Sequence, residues 1–219
     1  MAAWATTLVA LELDHVLIAV ADLAAAGREL EARHGLASIA GGRHPGWGTA
    51  NRIVPLGEAY LELVAVVDKA EAAQSRFGSW VAQAHPTSAQ PLGWAVRTNK
   101  LDEVARRLRL VVGAGSRATR SGQLLRWRLA GLEQASAEPA LPFFIEWEHG
   151  TPLPGQTLAS HRAAGVQIAK LQLDGDPDRL AAWLGTHRLP ITVHSGTSAL
   201  TSIVLTGADG EIVLDAERP

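Results

Sequence analysis

Three times along this chain a short β-like run leads into a polar capping residue and then an amphipathic helix, and no other feature narrows the choice of fold as much. In the first copy Leu11 to Val20 alternates, Asp22 stands where an N-cap belongs, Leu23, Ala26 and Leu30 keep helical spacing, and Gly35 closes the helix. About eighty residues on, Trp94 to Thr98 reads as the strand, Asn99 as the cap, Leu101, Val104 and Leu108 as the apolar stripe, with Gly113 beyond the end. In the third, Ile168 to Leu173 is the strand, Asp176 caps, Pro177 takes the first helical position, and Leu180, Trp183 and Leu184 face inward before Gly185.

The stretch after each helix is β-like as well: Thr49 to Pro55 and Tyr60 to Val66, then Leu124 to Leu129 and Pro142 to Glu148, then Ser202 to Leu205 and Glu211 to Asp215 around an Ala208-Asp209-Gly210 turn. Each copy therefore reads βαβββ, and the predicted class is α+β. The division runs 1–68 for the first module, 69–90 for a helical spacer ending near His85-Pro86, 91–149 for the second module and 164–216 for a degenerate third. Residues 150 to 163 form a Gly- and Pro-containing connection.

Composition excludes several functions. With 20 Lys and Arg against 22 Asp and Glu the net charge is −2, so no electrostatic drive toward nucleic acid or an anionic membrane exists. The partner expected is a small molecule. The absence of Cys removes disulfides, thiolate nucleophiles and zinc-thiolate sites. No apolar run reaches the roughly 20 residues of a bilayer span, and no cationic leader precedes the first apolar stretch, so a cytoplasmic location is expected. No Gly-x-Ser-x-Gly elbow, P-loop or dinucleotide fingerprint occurs, which argues against serine hydrolase, nucleotide and nicotinamide chemistry.

Strand periodicity then sorts the unusual residues. Val16, Ile18 and Val20 share one face of the first strand, and His15 lies on the other with Leu13, Leu17 and Ala19. On the fourth strand Glu62 shares a face with Tyr60, Val64 and Val66, opposite Leu61, Leu63 and Ala65. A carboxylate inside such an apolar strand needs a metal ion, a cation or hydrogen-bond donors beside it. Glu146, inside Phe143-Phe144-Ile145-Glu146-Trp147, repeats that placement. The Gly41 to Asn51 segment, read as a loop running into a strand, adds Arg43, His44, Trp47, Thr49 and Asn51 as candidate substrate-binding groups. Arg117, Arg120, Arg126 and Arg128 alternate around Trp127 as the wet face of an edge strand does. His34, His161, His187 and His194 read as surface residues, and His85 and His149 sit near module boundaries.

The segments Leu13-Asp14-His15-Val16, Gly42-Arg43-His44-Pro45-Gly46-Trp47-Gly48-Thr49-Ala50-Asn51, Tyr60-Leu61-Glu62-Leu63 and Leu141-Pro142-Phe143-Phe144-Ile145-Glu146-Trp147 together resemble the glyoxalase-like domain family of the vicinal oxygen chelate superfamily. The resemblance implies paired βαβββ modules forming a cupped sheet with helices outside, around a small-molecule site. It also implies a divalent ion held by a first-strand His and a fourth-strand Glu from each of two modules. His15 and Glu62 match one pair and Glu146 the second Glu. Aligning Val20-Ala21-Asp22-Leu23 with Thr98-Asn99-Lys100-Leu101 puts Gly93 where the second His belongs. One His and two carboxylates would hold Zn, Mn, Fe or Ni if water or another His completed the shell.

The resemblance implies one of two functions. One is a metal-dependent lyase, isomerase or dioxygenase acting on a small oxygen-bearing substrate, with His15, Glu62 and Glu146 on the metal and one of the two acids as catalytic base. The other is a metal-free small-molecule binding protein with Trp47, Tyr60, Trp94 and Trp147 as an aromatic pocket. A purely structural role ranks last, and a homodimer is compatible with sites built from modules of two chains.

Overall fold

The computed structural model describes residues 10–84, 86, 88–119 and 122–216; His85 and Arg120 lie outside this set. The first module runs β1 (Glu12–Ala19), α1 (Leu23–His34), β2 (Ile39–His44), β3 (Thr49–Leu56) and β4 (Ala59–Val66). α1 begins where Asp22 accepts a hydrogen bond from the Ala25 amide and ends at Gly35, whose φ of 69° only glycine adopts without strain. Two short helices come next, α2 (Lys69–Ala72) and α3 (Arg76–Gln83).

The second module is β5 (Gln90–Arg97), α4 (Leu101–Leu108), β6 (Val112–Ala118), β7 (Leu124–Ala130), α5 (Leu132–Ala137) and β8 (Phe143–Trp147). Here the capping differs from expectation. Lys100 and not Asn99 stands at the N-cap of α4, with its amide bonded to the Thr98 hydroxyl and no side chain capping the helix, and Arg109, at φ 55°, ends the helix while Gly113 lies inside β6. α5, not legible in the sequence, interrupts the path from β7 to β8.

The eight strands form one sheet in the order β2-β3-β4-β1-β5-β8-β7-β6, which reads the same from both ends once the modules are matched. β1 and β5 meet antiparallel at the centre, with Leu17 opposite Gly93 and His15 opposite Ala95. With Val20 to Leu23 aligned to Thr98 to Leu101, Gly93 corresponds to His15 and Ala95 to Leu17, and the pairing is symmetric about Val16 and Trp94. The sheet curls until its ends approach: a methyl group built on Gly42 of β2 would lie 2.5 Å from the Ala118 carbonyl oxygen of β6. The Gly41-Gly42 pair is therefore strand, not flexible loop. Side chains at those positions would collide with Asn51 Oδ1 and with β6.

The convex face, with Val16, Ile18, Leu61, Leu63, Trp94 and Phe144, packs under α1, α4 and the third segment. That segment is β9 (Gln167–Gly175), α6 (Pro177–Leu184), β10 (Ile191–Ser195), β11 (Ala199–Gly207) and β12 (Gly210–Asp215), and it forms its own four-stranded sheet. Its element order is βαβββ, but its pairing is not that of the other two. β9 lies between a parallel β10 and an antiparallel β11, whereas β1 and β5 each pair in parallel with the last strand of their module. Trp183 of α6 locks it down by donating to the Pro142 carbonyl at 2.9 Å. His161, expected at the surface, instead accepts from the Ala37 amide and donates to the Pro55 carbonyl, tying the connecting segment to the first module.

Inside the cup, Leu17, Val64, Ala95, Phe143 and Ile145 form a second apolar cluster, which α3 caps with Phe77, Trp80 and Val81. The spacer helix is thus a plug. Among the described residues no helix is long and apolar enough to cross a membrane.

Candidate active site

Beneath that plug is a narrow cavity, lined on one side by His15, His44, Asn51, Tyr60 and Glu62. Strand alternation delivers these groups, since Tyr60 and Glu62 are two apart on β4 and face inward together while Leu61 and Leu63 enter the outer core. Opposite stand Phe143, Ile145 and Trp147 of β8 and Trp127 and Leu129 of β7.

His15 is 3% exposed and Glu62 5%. His15 Nδ1–H donates to Asp14 Oδ1 at 2.6 Å, which leaves Nε2 facing Glu62 Oε2 at 3.6 Å. Asp14, itself buried, also accepts from Trp147 Nε1 at 2.9 Å and lies 3.5 Å from Arg97 Nη1. Tyr60 stacks on the His15 ring with centroids 4.7 Å apart. Burial first, then the Asp14 and Glu62 charges, hold its phenol well above the ordinary range, so it stays protonated.

A second chain of bonds reaches the other oxygen of Glu62. The Asn51 amide is oriented by its Oδ1 accepting from the Gly42 amide at 2.9 Å, so its Nδ2 donates, to Glu62 Oε1 at 2.9 Å and toward His44 Nε2 at 3.2 Å. His44 Nε2 is then an acceptor and its proton sits on Nδ1, donated to Thr49 Oγ1 at 2.9 Å. Burial depresses the His44 pKa, with Arg117 and His15 acting in the same direction against Glu62, so the ring is neutral.

Of the residues expected at the site, His15, Glu62, His44, Asn51 and Trp47 line the cavity, and Thr49 supports it by holding the His44 ring. Arg43 and Glu146 do not reach it. Arg43 points outward to Asp68 at 3.3 Å and Glu71 at 2.6 Å, because on β2 it alternates with His44. Glu146 lies on the convex side, bonded to Arg128, which also binds Asp102 of α4. Register gives the reason. β1 pairs Leu17 with Glu62, and β5 pairs Ala95, the counterpart of Leu17, with Phe143. Phe143 and not Glu146 therefore corresponds to Glu62, and residues at an odd spacing from it face the other way.

The four-ligand metal set implied by the resemblance does not fit these residues. Gly93 and Phe143 occupy both positions of the second half, and the space above Gly93 is filled: a methyl group there would lie 2.5 Å from Trp80 Cη2. His15 and His44 approach opposite oxygens of Glu62, and among the described residues no three His, Asp or Glu side chains converge to hold an ion.

Arg117, expected on a wet edge, is 5% exposed and lines the cavity, brought in by the closing of β6 onto β2. No local signal in the sequence marks it as an inward residue.

Comparison with known proteins agrees with this architecture. A family profile described as glyoxalase-like domain matches residues 13–189. A hypothetical protein from Staphylococcus aureus superposes with a TM-score of 0.71 at 16% identity, covering 91% of this chain and 92% of that one, a likeness of fold. Methylmalonyl-CoA epimerase from Mycobacterium tuberculosis gives a TM-score of 0.45 at 24% identity over 67% of this chain and 92% of that one. No curated protein matches in sequence. With the match extending over more than half of its length, the chain belongs to the glyoxalase-like domain family.

Proposed function

We propose that this protein is a proton-transfer enzyme of the isomerase or lyase type, acting on a small oxygen-bearing substrate held inside the cup. The observation that carries this reading is the pairing of Glu62 Oε2 with His15 Nε2, 3.6 Å apart, on the wall of a narrow and otherwise largely apolar cavity. Glu62 Oε1 is engaged by Asn51, so Oε2 is the oxygen left to take a proton. His15 is aimed by Asp14, so its Nε2 is the nitrogen left to receive or return one. A substrate carbon next to a carbonyl, lying across these two atoms, would lose its proton to Glu62 Oε2, which passes it to His15 Nε2 for return to the substrate. Positioned acid–base groups of this kind contribute about 10²–10⁴-fold to rate.

The metal-dependent variant of this chemistry would need ligands that Gly93 and Phe143 do not supply, and the reading therefore rests on the protein's own groups. A metal-free binding protein is the second reading, favoured by the aromatic walls formed by Trp47, Trp127 and Trp147.

The test is solvent deuterium incorporation at carbons next to the carbonyl in a panel of small ketones and 2-oxo acids, monitored by proton NMR before and after EDTA dialysis. Exchange that survives EDTA and falls by about 10²-fold or more in Glu62→Gln and His15→Ala supports the enzyme. Binding without exchange supports the binding protein. Stoichiometric metal lost in both variants, with exchange lost to EDTA, refutes metal-free proton transfer.

A further inference from the structure

Arg117 is a buried cation for which the proton-transfer reading has no use. Among the described residues no carboxylate lies within ion-pair distance of its guanidinium and no hydrogen bond involves its side chain. An unpaired buried charge is costly, and Arg remains charged at any working pH, so such a group is kept where an anion will meet it. Its alkyl chain crosses the seam between β6 and β2 against Gly42, with Cδ 3.7 Å from where a methyl group there would be. Its charge is felt at His44 and at Tyr60, two groups of the cavity's polar wall. Glu62, the carboxylate inside the cavity, has its contacts with Asn51 and with the His15 and His44 rings and makes no ion pair with Arg117.

The facing wall limits what the anion is attached to. Leu129, Phe143 and Ile145 offer no polar contact, and the flat aromatic surface of Trp127 suits a flat apolar body. We propose that Arg117 is the anchor for the carboxylate of a small organic acid with an apolar, preferably aromatic, body. A planar carboxylate matches the guanidinium fork in two hydrogen bonds, which a lysine in its place would not reproduce. The inference rests on the cavity being a substrate site, as in the proton-transfer reading, and adds the chemical class of what enters it.

The test compares phenylacetate with phenylacetamide, alike in shape and different in charge, by calorimetry and quenching of tryptophan fluorescence. Wild type is expected to bind the acid about tenfold to a hundredfold more tightly than the amide, the worth of a charge-assisted pair. Arg117→Gln should abolish that preference. Should that variant fail to fold, Arg117→Lys should keep a reduced preference for the acid. Glu62→Gln should bind the acid at least as tightly as wild type while losing deuterium exchange, which separates the two readings. Equal binding of acid and amide, no saturable binding of either, or an Arg117→Gln protein that keeps the preference, each overturns the proposal. Exchange with no anion preference would overturn it alone, and anion preference without exchange would overturn only proton transfer.

Discussion

Adding one methyl group at Gly93 tests whether the second half of the site is closed by packing. Gly93 lies in the extended backbone of β5, without the positive φ that would make any side chain strained. On backbone grounds alone Gly93→Ala should therefore stabilise the fold, by about 0.4–1 kcal/mol, through the reduced freedom of the unfolded chain. Packing reverses the sign. The new Cβ would lie 2.5 Å from Trp80 Cη2 and 2.6 Å from Cζ2, inside any tolerable contact, and Trp80 is itself held between α3 and the inner face of the sheet. Overpacking of this kind costs about 1–3 kcal/mol, which for a chain of this size lowers the melting temperature by roughly 2–12 °C. In a Trp80→Leu background the far ring atoms are gone, and the same Gly93→Ala change should become neutral or stabilising. That background costs no more than the ~3–5 kcal/mol of a full truncation. Denaturant melts of the four proteins close a double-mutant cycle with an expected coupling of about 1–3 kcal/mol. A coupling near zero would mean that the indole does not fill the half-site and would sink the argument.

The pH dependence of stability is set in part by His44. Its pKa is depressed by burial, as are those of His34 and His187, so between its folded value and the unfolded value of about 6.5 the unfolded chain binds more protons. Stability is then full above about pH 6.5 and falls as the pH drops through that window; urea midpoints at pH 7.5 and 5.5 should fall more steeply in wild type than in His44→Gln, and parallel profiles would contradict the assignment. Asp14→Asn removes the anion that receives His15 Nδ1–H and Trp147 Nε1–H, and is expected to cost about 3 kcal/mol and most of the exchange activity, since Asn donates where Asp accepts; a variant as stable and as active as wild type would show that Asp14 does not set the His15 tautomer.

The first module was legible because its signals are local. His15 and Glu62 stand out as polar residues within apolar strands, and Asp22 and Gly35 bracket α1 with caps that need no tertiary partner. The second module's acid was misplaced because β8 is apolar on both faces, and a strand buried on both sides shows no alternation from which to read an inward position. Only its register against β5 reveals that Phe143 faces in. Arg117 looked like an edge residue because β6 is indeed the last strand of the sheet; its burial comes from closure onto β2, some seventy residues earlier in sequence. The third segment kept the element order of the others, but which strands pair is decided by contacts that periodicity does not encode.

The broken symmetry of the cup determines how a ligand can lie in it. The twofold arrangement offers two equivalent half-sites, and this chain retains chemistry in one: His15 and Glu62 are matched across the axis by Gly93 and Phe143, with Trp80 lowered into the space that a glycine leaves. Polar groups therefore crowd the wall made by β1 to β4, and the wall made by β7 and β8 is apolar, so a ligand with one polar end has a single orientation open to it. Arg117 is the exception among second-module residues, and it reaches the polar wall because sheet closure sets β6 beside β2. That closure in turn requires Gly42, where any side chain would strike the Ala118 carbonyl. Gly41 has a matching part, since a side chain there would displace the Asn51 amide that binds Glu62. The two glycines thus shape the site without contributing an atom to its chemistry: one admits the cation and the other admits the donor that fixes the base.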